Sequence, residues 1–446
     1  MYKLPKDTEM TLGTLSIYLD KHRSDLHRYK KLRDAYMSDH DILHQAPKPR
    51  YKPDNRIVVN FPKYIVDTMN GFFIGNPIKI VADDEAVSAF TEYLDQYNDQ
   101  DDNNAELSKI CSIYGHGFEM YYTDEGANLC ITYLNPIEAF MIYDDSIIER
   151  PMFFIRRYTD NNNVEYGSIS NKYGVRNFQV TGGVRWLDED WKPHYFGDVP
   201  ATEYVENEER QGLFEPSLSM INAYNKAISE KANDVDYFAD SYLKILGALV
   251  EDDDVKTIRD TRIINFTGED SENIIAEFMD KPSSDTTQEN LLERLERLIF
   301  QISMVANISD ENFGTSSGIA MKYKLQAMNN LEKVKKRKFT SGMSRRYKIL
   351  FGHPASKVPA DAWVQLHYVF NPNLPANLLE EAQIAAQMEG IVSKQTQLKA
   401  LSIVDNVHEE LAKLEEENES SSDTLINKMM FSGSSTPPEE VTADEQ

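Results

Sequence analysis

The chain has almost no cysteine: two residues, Cys111 and Cys130, among 446. Their spacing fits neither a metal site nor a redox pair, so the fold is expected to stand without covalent staples, as suits synthesis in a reducing cytoplasm. An uninterrupted apolar run of about 18 residues is missing as well, and the opening MYKLPKDTEM has no apolar signal core. These absences predict a protein that is neither exported by a signal peptide nor membrane-spanning. The patterns G-x-x-x-x-G-K-[ST], H-E-x-x-H and C-x-x-C do not occur, which removes support for phosphate-loop and zinc enzymes, so no metal and no cofactor is expected. Positive charge is in short supply: 47 Lys and Arg face 73 Asp and Glu, a net charge of −26. That balance argues against a protein that grips nucleic acid by neutralising phosphates, while loose or repelled contact with DNA stays open.

What the chain does have is enough apolar material, 41% of its residues, to bury real cores over a length of roughly three ordinary domains. Leu12, Leu15, Leu19, Leu26, Tyr29 and Leu32 recur at helical intervals until the prolines of HQAPKPRYKP forbid continuation. Farther on, FEMYYTDEGANLCITYL and AFMIYDD…PMFFIRRY read as aromatic and β-branched strands, the first two joined by a turn at Glu125-Gly126. An antiparallel α+β region is expected to continue to about Gly212.

The texture then becomes helical. Leu218, Ile221, Tyr224, Ile228, Val235, Phe238 and Tyr242 hold a spacing near 3.5, with Pro216 ahead and Gly247 behind, which predicts one helix from Leu218 to Leu246, about 42 Å long. Asp285 and Gln288 make a capping-box pattern before the stripe Leu291, Leu295, Leu298, Ile302 and Val305, a second helix of about 35 Å. Between them lies an insert, Ala248 to Pro282, with the strand candidates RIINF and NIIAEFM. A third long helix is expected from near Ser317 to about Phe351.

Gly314-Thr315-Ser316-Ser317-Gly318 matches the G-x-S-x-G pattern of a hydrolase nucleophile. A nucleophile elbow needs a buried strand leading into the serine, whereas here VANISDENF follows a helix and another helix comes after. Ser316 is therefore read as part of a helix-to-helix loop, and the chain as not an enzyme. A serine hydrolase using Ser316, with His353, His367 or His408 as base, remains the second reading, beside a structural adaptor. Asp252, Asp253 and Asp254 could hold a divalent ion, although adjacent acids in a loop usually form a solvated face. The basic cluster Lys333, Lys335, Lys336, Arg337, Lys338, Arg345, Arg346 and Lys348 is dense for so acidic a chain. It is either a solvated helix face, a set of partners for acids of a neighbouring subunit, or a DNA contact.

In order along the chain, FFIGNPIKI, IYGHGFEMYYTDEG, NPIEAFMIYDD, the paired long helices and ENFGTSSGIAMKYKL with its basic helix resemble the portal proteins of tailed double-stranded DNA bacteriophages, of the siphophage type. So does VFNPNLPANLLEEAQIAAQMEGIVSKQTQLKALSIVDNVHEELAKLEEE. The resemblance covers about residues 10 to 418.

It implies an α+β portal fold in a homo-oligomeric, dodecameric ring at one capsid vertex of the virion, through which DNA is packaged and ejected. By resemblance, residues 1–215 form the first part of a mixed α/β wing, and 318–375 the long helix and the wing's second part. Helices at 216–247 and 283–307 form the stem, 248–282 a small clip, 308–317 the tunnel loop and 376–419 a helical crown; 420–446 has the composition of a disordered tail. Asp310, Glu311, Asn312, Phe313, Gly314, Thr315 and Ser316 would face the DNA channel. Lys322, Lys324, Lys333, Lys335, Lys336, Arg337 and Lys338 would meet DNA or a neighbouring subunit, and Asp252, Asp253 and Asp254 would dock the terminase large subunit and later a head-tail connector. Major capsid and scaffolding proteins complete the implied partners.

Overall fold

A computed structural model describes residues 1–49, 52–239, 243–246, 275–278, 285–308, 323–373, 378–398 and part of 401–415. Two compact units divide the chain, 1–373 and 374–446. The architecture is mixed helix and sheet, an α+β fold.

In the first unit, β1 (Tyr2–Leu4) precedes α1 (Leu12–Tyr36), which begins where the Thr11 hydroxyl accepts a hydrogen bond from the Thr14 N–H. Next come α2 (Phe61–Ile74), capped by Asn60 with Pro62 in its first turn, then β2 (Lys79–Val81), α3 (Glu85–Tyr97) and α4 (Gln100–Tyr114). Gly115 ends α4 at φ 87°, and a Cβ there would fall 2.0 Å from the Arg210 carbonyl oxygen, so only glycine turns the chain straight into the sheet.

Strands β3 (His116–Thr123), β4 (Leu129–Leu134), β5 (Ala139–Asp144), β6 (Pro151–Thr159), β7 (Glu165–Ser170), β8 (Gly174–Val180), β9 (Val184–Trp186), β10 (Lys192–Pro193) and β11 (Ala201–Val205) follow. They assort into two sheets. One is seven-stranded, in the order β1-β5-β6-β7-β8-β10 with β9 also on β8; the other is β11-β3-β4. Strand alternation explains how the larger sheet is sandwiched. Phe140, Ile142, Phe153, Ile155, Ile169 and Phe178 face Leu15, Tyr18 and Leu19 of α1, while Ala139, Met141 and Phe154 on the other face meet Phe118 and Ala201 of the smaller sheet. The hairpin β3–β4 turns where the sequence places its Glu125-Gly126 signal.

The remaining elements of this unit are α5 (Leu218–Ala239), β12 (Leu243–Leu246), β13 (Ile275–Phe278), α6 (Asp285–Ser303), α7 (Gln326–Phe351) and β14 (His367–Val369), which pairs with β2. Here the structure departs from the periodicity. The helix expected to reach Leu246 stops at Ala239, and Leu243–Leu246 is a strand, antiparallel to β13. Its alternating Leu-Lys-Ile-Leu gains a ladder partner in IAEF, and strand pairing overrides a weak helical spacing. The expected helix start near Ser317 lies outside the described residues. The second unit holds α8 (Leu378–Gln387) and α9 (Lys394–Leu398), tied by the Gln397 amide, which donates to the Ala385 carbonyl at 2.6 Å.

Candidate functional site

Two helical surfaces carry the features that function can use. On α5 the buried stripe turns polar after Ile221, with Asn225, Ser229 and Asn233 following at steps of four. An extended segment runs alongside, and every second N–H of it donates to this stripe, Asn55 to Asn233 Oδ1 at 2.7 Å, Ile57 to Ser229 Oγ at 2.9 Å and Val59 to Asn225 Oδ1 at 2.9 Å. The spacings match, because four helical residues rise about 6 Å and two extended residues about 6.6 Å. Lys48 and Glu230 add an ion pair at 2.7 Å. Helices α5 and α6 meet at their own contacts: Gln288 donates to Asp234 at 3.0 Å, and Lys231 pairs with Glu289. Phe300 and Tyr224 close over Phe61 of α2.

On α7 the buried, mainly apolar face carries two cations. Lys335 donates to Glu206 Oε2 at 2.5 Å, to Ser112 Oγ at 2.6 Å and to the Ser108 carbonyl at 3.2 Å. Arg346 grips both oxygens of Glu119, at 2.9 and 2.5 Å, and reaches Asn104 Oδ1 at 2.6 Å. Lys335 is 2% exposed and Arg346 0%. Burial alone would pull the Arg346 pKa down; the Glu119 carboxylate reverses this and holds the guanidinium charged, its pKa well above the ordinary value. Between the two cations Gly342 lies against the Tyr204 ring, where a Cβ would come within 2.4 Å of the ring edge.

A third buried carboxylate, Glu203, accepts from Arg210 twice at 2.8 Å, from His116 Nδ1 at 2.7 Å and from the Tyr143 hydroxyl. Desolvation would raise its pKa, but Arg210 and His116 outweigh that and hold it well below the usual carboxylate range. It lines a small cavity with Tyr2, Asp25 and Tyr29.

The residues singled out from the sequence are thus dispersed. Lys335 is corrected: expected at DNA or a neighbouring subunit, it is buried inside its own chain. Arg346 is likewise internal. The physical reason is the helical stripe Met328, Glu332, Lys335, Phe339, Met343, Arg346 and Leu350, which is the buried face of α7. Lys338 pairs with Glu208, and Arg345 with Asp198 at 3.1 Å. Lys336 is half-buried, its ammonium 5.3 Å from the Phe370 ring centre. Lys324, Lys333, Arg337 and Lys348 are exposed. Asp252, Asp253, Asp254, Asp310, Glu311, Asn312, Phe313, Gly314, Thr315, Ser316 and Lys322 lie outside the described residues.

Leading toward Ser316, residues 305–307 form no strand. His353 is buried, with Nδ1 accepting from the Ala355 N–H at 3.0 Å, and His367 is exposed on β14. Among the described residues no three His, Cys, Asp or Glu side chains gather into a metal site, and no helix is long and apolar enough to cross a membrane.

The family described as "Phage portal protein, SPP1 Gp6-like" matches residues 15–424. The chain belongs to that family. It is also 23% identical over 410 residues to a protein of Clostridium phage phiCD119 named "Portal protein", a likeness covering 84% of this chain and 89% of the relative. The family is structural, and its place is the virion capsid. The polar stripe of α5 escaped the sequence reading, which followed Tyr224, Ile228 and Val235 instead; Val235 is 52% exposed.

Proposed function

We propose that this chain assembles into a closed dodecameric ring at one vertex of a phage capsid and provides the channel through which double-stranded DNA is packaged and ejected. The observation that carries this reading is the family match over residues 15–424. A net charge of −26 supports it, since every phosphate neutralised by a channel wall adds a barrier to sliding. In this reading the two sheets with α1–α4 form the wing, and helices α5 and α6 the stem. The insert 248–282 is the clip, entered just past β12 and containing β13, and α8 and α9 belong to the crown. Residues 308–317 form the collar of loops around DNA, with Lys322 and Lys324 close behind it for transient phosphate contacts. Exposed Lys333 and Arg337 serve a neighbouring subunit or DNA. The acidic run Asp252, Asp253 and Asp254 docks the terminase large subunit and then a head-tail connector, and the wing meets major capsid and scaffolding proteins. Motive force comes from the ATP-driven terminase, so the ring itself needs no catalytic group.

Negative-stain imaging and native mass of the purified chain test the ring: closed rings with a central hole are expected, and monomers or open chains overturn it. Within assembled heads, Ser316→Ala should protect packaged DNA from nuclease as the unaltered protein does. Shortening residues 310–315 should leave rings intact and reduce that protection; full protection would show the collar dispensable.

A further inference from the structure

The two buried ion pairs of α7 have a geometry that simple stabilisation does not require. Lys335 and Arg346 are eleven residues apart, about three turns, so they project from one face about 16 Å apart along the axis. Each meets its own carboxylate on the wing, Glu206 just beyond β11 and Glu119 on β3, and each also bonds to α4, Lys335 at Ser108 and Ser112 and Arg346 at Asn104. The order along α4 is reversed relative to α7, so the two helices lie antiparallel with contacts at both ends of the shared stretch. Midway sits Gly342, with no room for a side chain against Tyr204. Buried ion pairs seldom repay their desolvation in full, so stability alone is a weak account of them.

We infer that Lys335 and Arg346 are register keys that fix the axial setting of the helix Gln326–Phe351 on the wing. A slide by one turn, about 5 Å, would withdraw both cations from their carboxylates at once and leave four charges buried without partners. It would also bring a residue with a side chain against Tyr204. The middle of the helix therefore moves only together with α4, β3 and β11, as one body. The inference rests on the contacts alone and stands whether or not the ring reading does. If the ring forms, load applied at the N-terminal end of this helix reaches the wing without slippage.

The test uses spin labels at Arg337→Cys on the helix and Lys172→Cys in the turn between β7 and β8, both exposed positions, with labelled chain diluted into unlabelled chain so that only distances within one chain are read. Native Cys111 and Cys130 are buried and stay unlabelled in the folded protein. The unaltered pairs should give one narrow distance. Replacing both pairs by apolar residues, Lys335→Met, Glu206→Leu, Arg346→Met and Glu119→Leu together, should keep the helical circular dichroism but broaden the distance or add a second one displaced by about 5 Å. A folded variant with the single narrow distance of the unaltered protein overturns the inference. Should that variant not fold, native-state hydrogen exchange of the unaltered chain decides: amides from 335 to 346 should exchange only through global unfolding, and exchange through a smaller local opening overturns it.

Discussion

Helices α5 and α7 are both attached to the body of the molecule through polar groups on a buried face, yet by opposite chemistry. The stripe of α5 is neutral, with amides and a hydroxyl accepting backbone N–H groups of the segment Asn55–Val59. That of α7 is ionic, Lys335 and Arg346 against Glu206 and Glu119. A neutral ladder satisfies backbone donors that would otherwise be lost, and each rung is worth a modest amount. An ionic stripe repays little when complete, and costs much when half is removed. The first behaves as a graded tether and the second as an all-or-none setting.

The sharpest way to break the contrast is Arg346→Leu, which leaves the buried Glu119 carboxyl without its cation. It should cost about 3–5 kcal/mol in urea unfolding, or abolish folding where the margin is smaller. A loss below about 1 kcal/mol would show that water reaches Glu119, and that the ionic stripe is no different in kind from the ladder. Removing both partners sharpens the point: Lys335→Met with Glu206→Leu should be neutral or stabilising by about 1–4 kcal/mol, although Lys335→Met alone destabilises. Equal losses in the single and double variants would make the pair a source of stability instead.

On α5, Asn225→Ala should cost about 1–3 kcal/mol by stranding the Val59 N–H. Ser229→Ala should behave alike, and the two losses should add within a few tenths of a kcal/mol if each rung acts separately. Strong non-additivity would mean that the ladder, too, is cooperative.

How much of this was legible follows from the same contrast. The strands and the first helix were readable because their apolar alternation and spacing coincide with burial: Leu15 and Leu19 on α1, Phe153 and Ile155 on β6. The joints were not, since both depend on polar groups in buried positions whose partners lie far away in sequence, 166 residues between Val59 and Asn225 and 227 between Glu119 and Arg346. A signal for α7 was nevertheless present. Lys335 and Arg346 fall in the same helical stripe as Met328, Phe339, Met343 and Leu350, so reading the basic run by face instead of by density would have separated them from Lys333 and Arg337. For α5 no such signal exists, because Asn225, Ser229 and Asn233 look like a solvated face until the segment beside them is known. The same limit explains the missed strand Leu243–Leu246, whose pairing partner Ile275–Phe278 is about thirty residues away.

The smallest effect closes the comparison at the surface of the same helix. Lys338 is one turn beyond Lys335 and pairs with Glu208, whose side chain is 79% exposed. An exposed pair gains little from attraction in water, loses side-chain freedom and is screened by salt. Lys338→Ala should therefore change unfolding stability by about 0–1 kcal/mol, and that small difference should shrink between low and high salt. Lys335→Met, three residues away, should keep its large cost at both salt concentrations, because ions do not enter the space around Ser108, Ser112 and Glu206. Salt-insensitive loss at Lys338, or salt-sensitive loss at Lys335, would show that burial does not divide the basic run of this helix into keys and solvated charges, and would return Lys335 to the surface cluster from which the structure removes it.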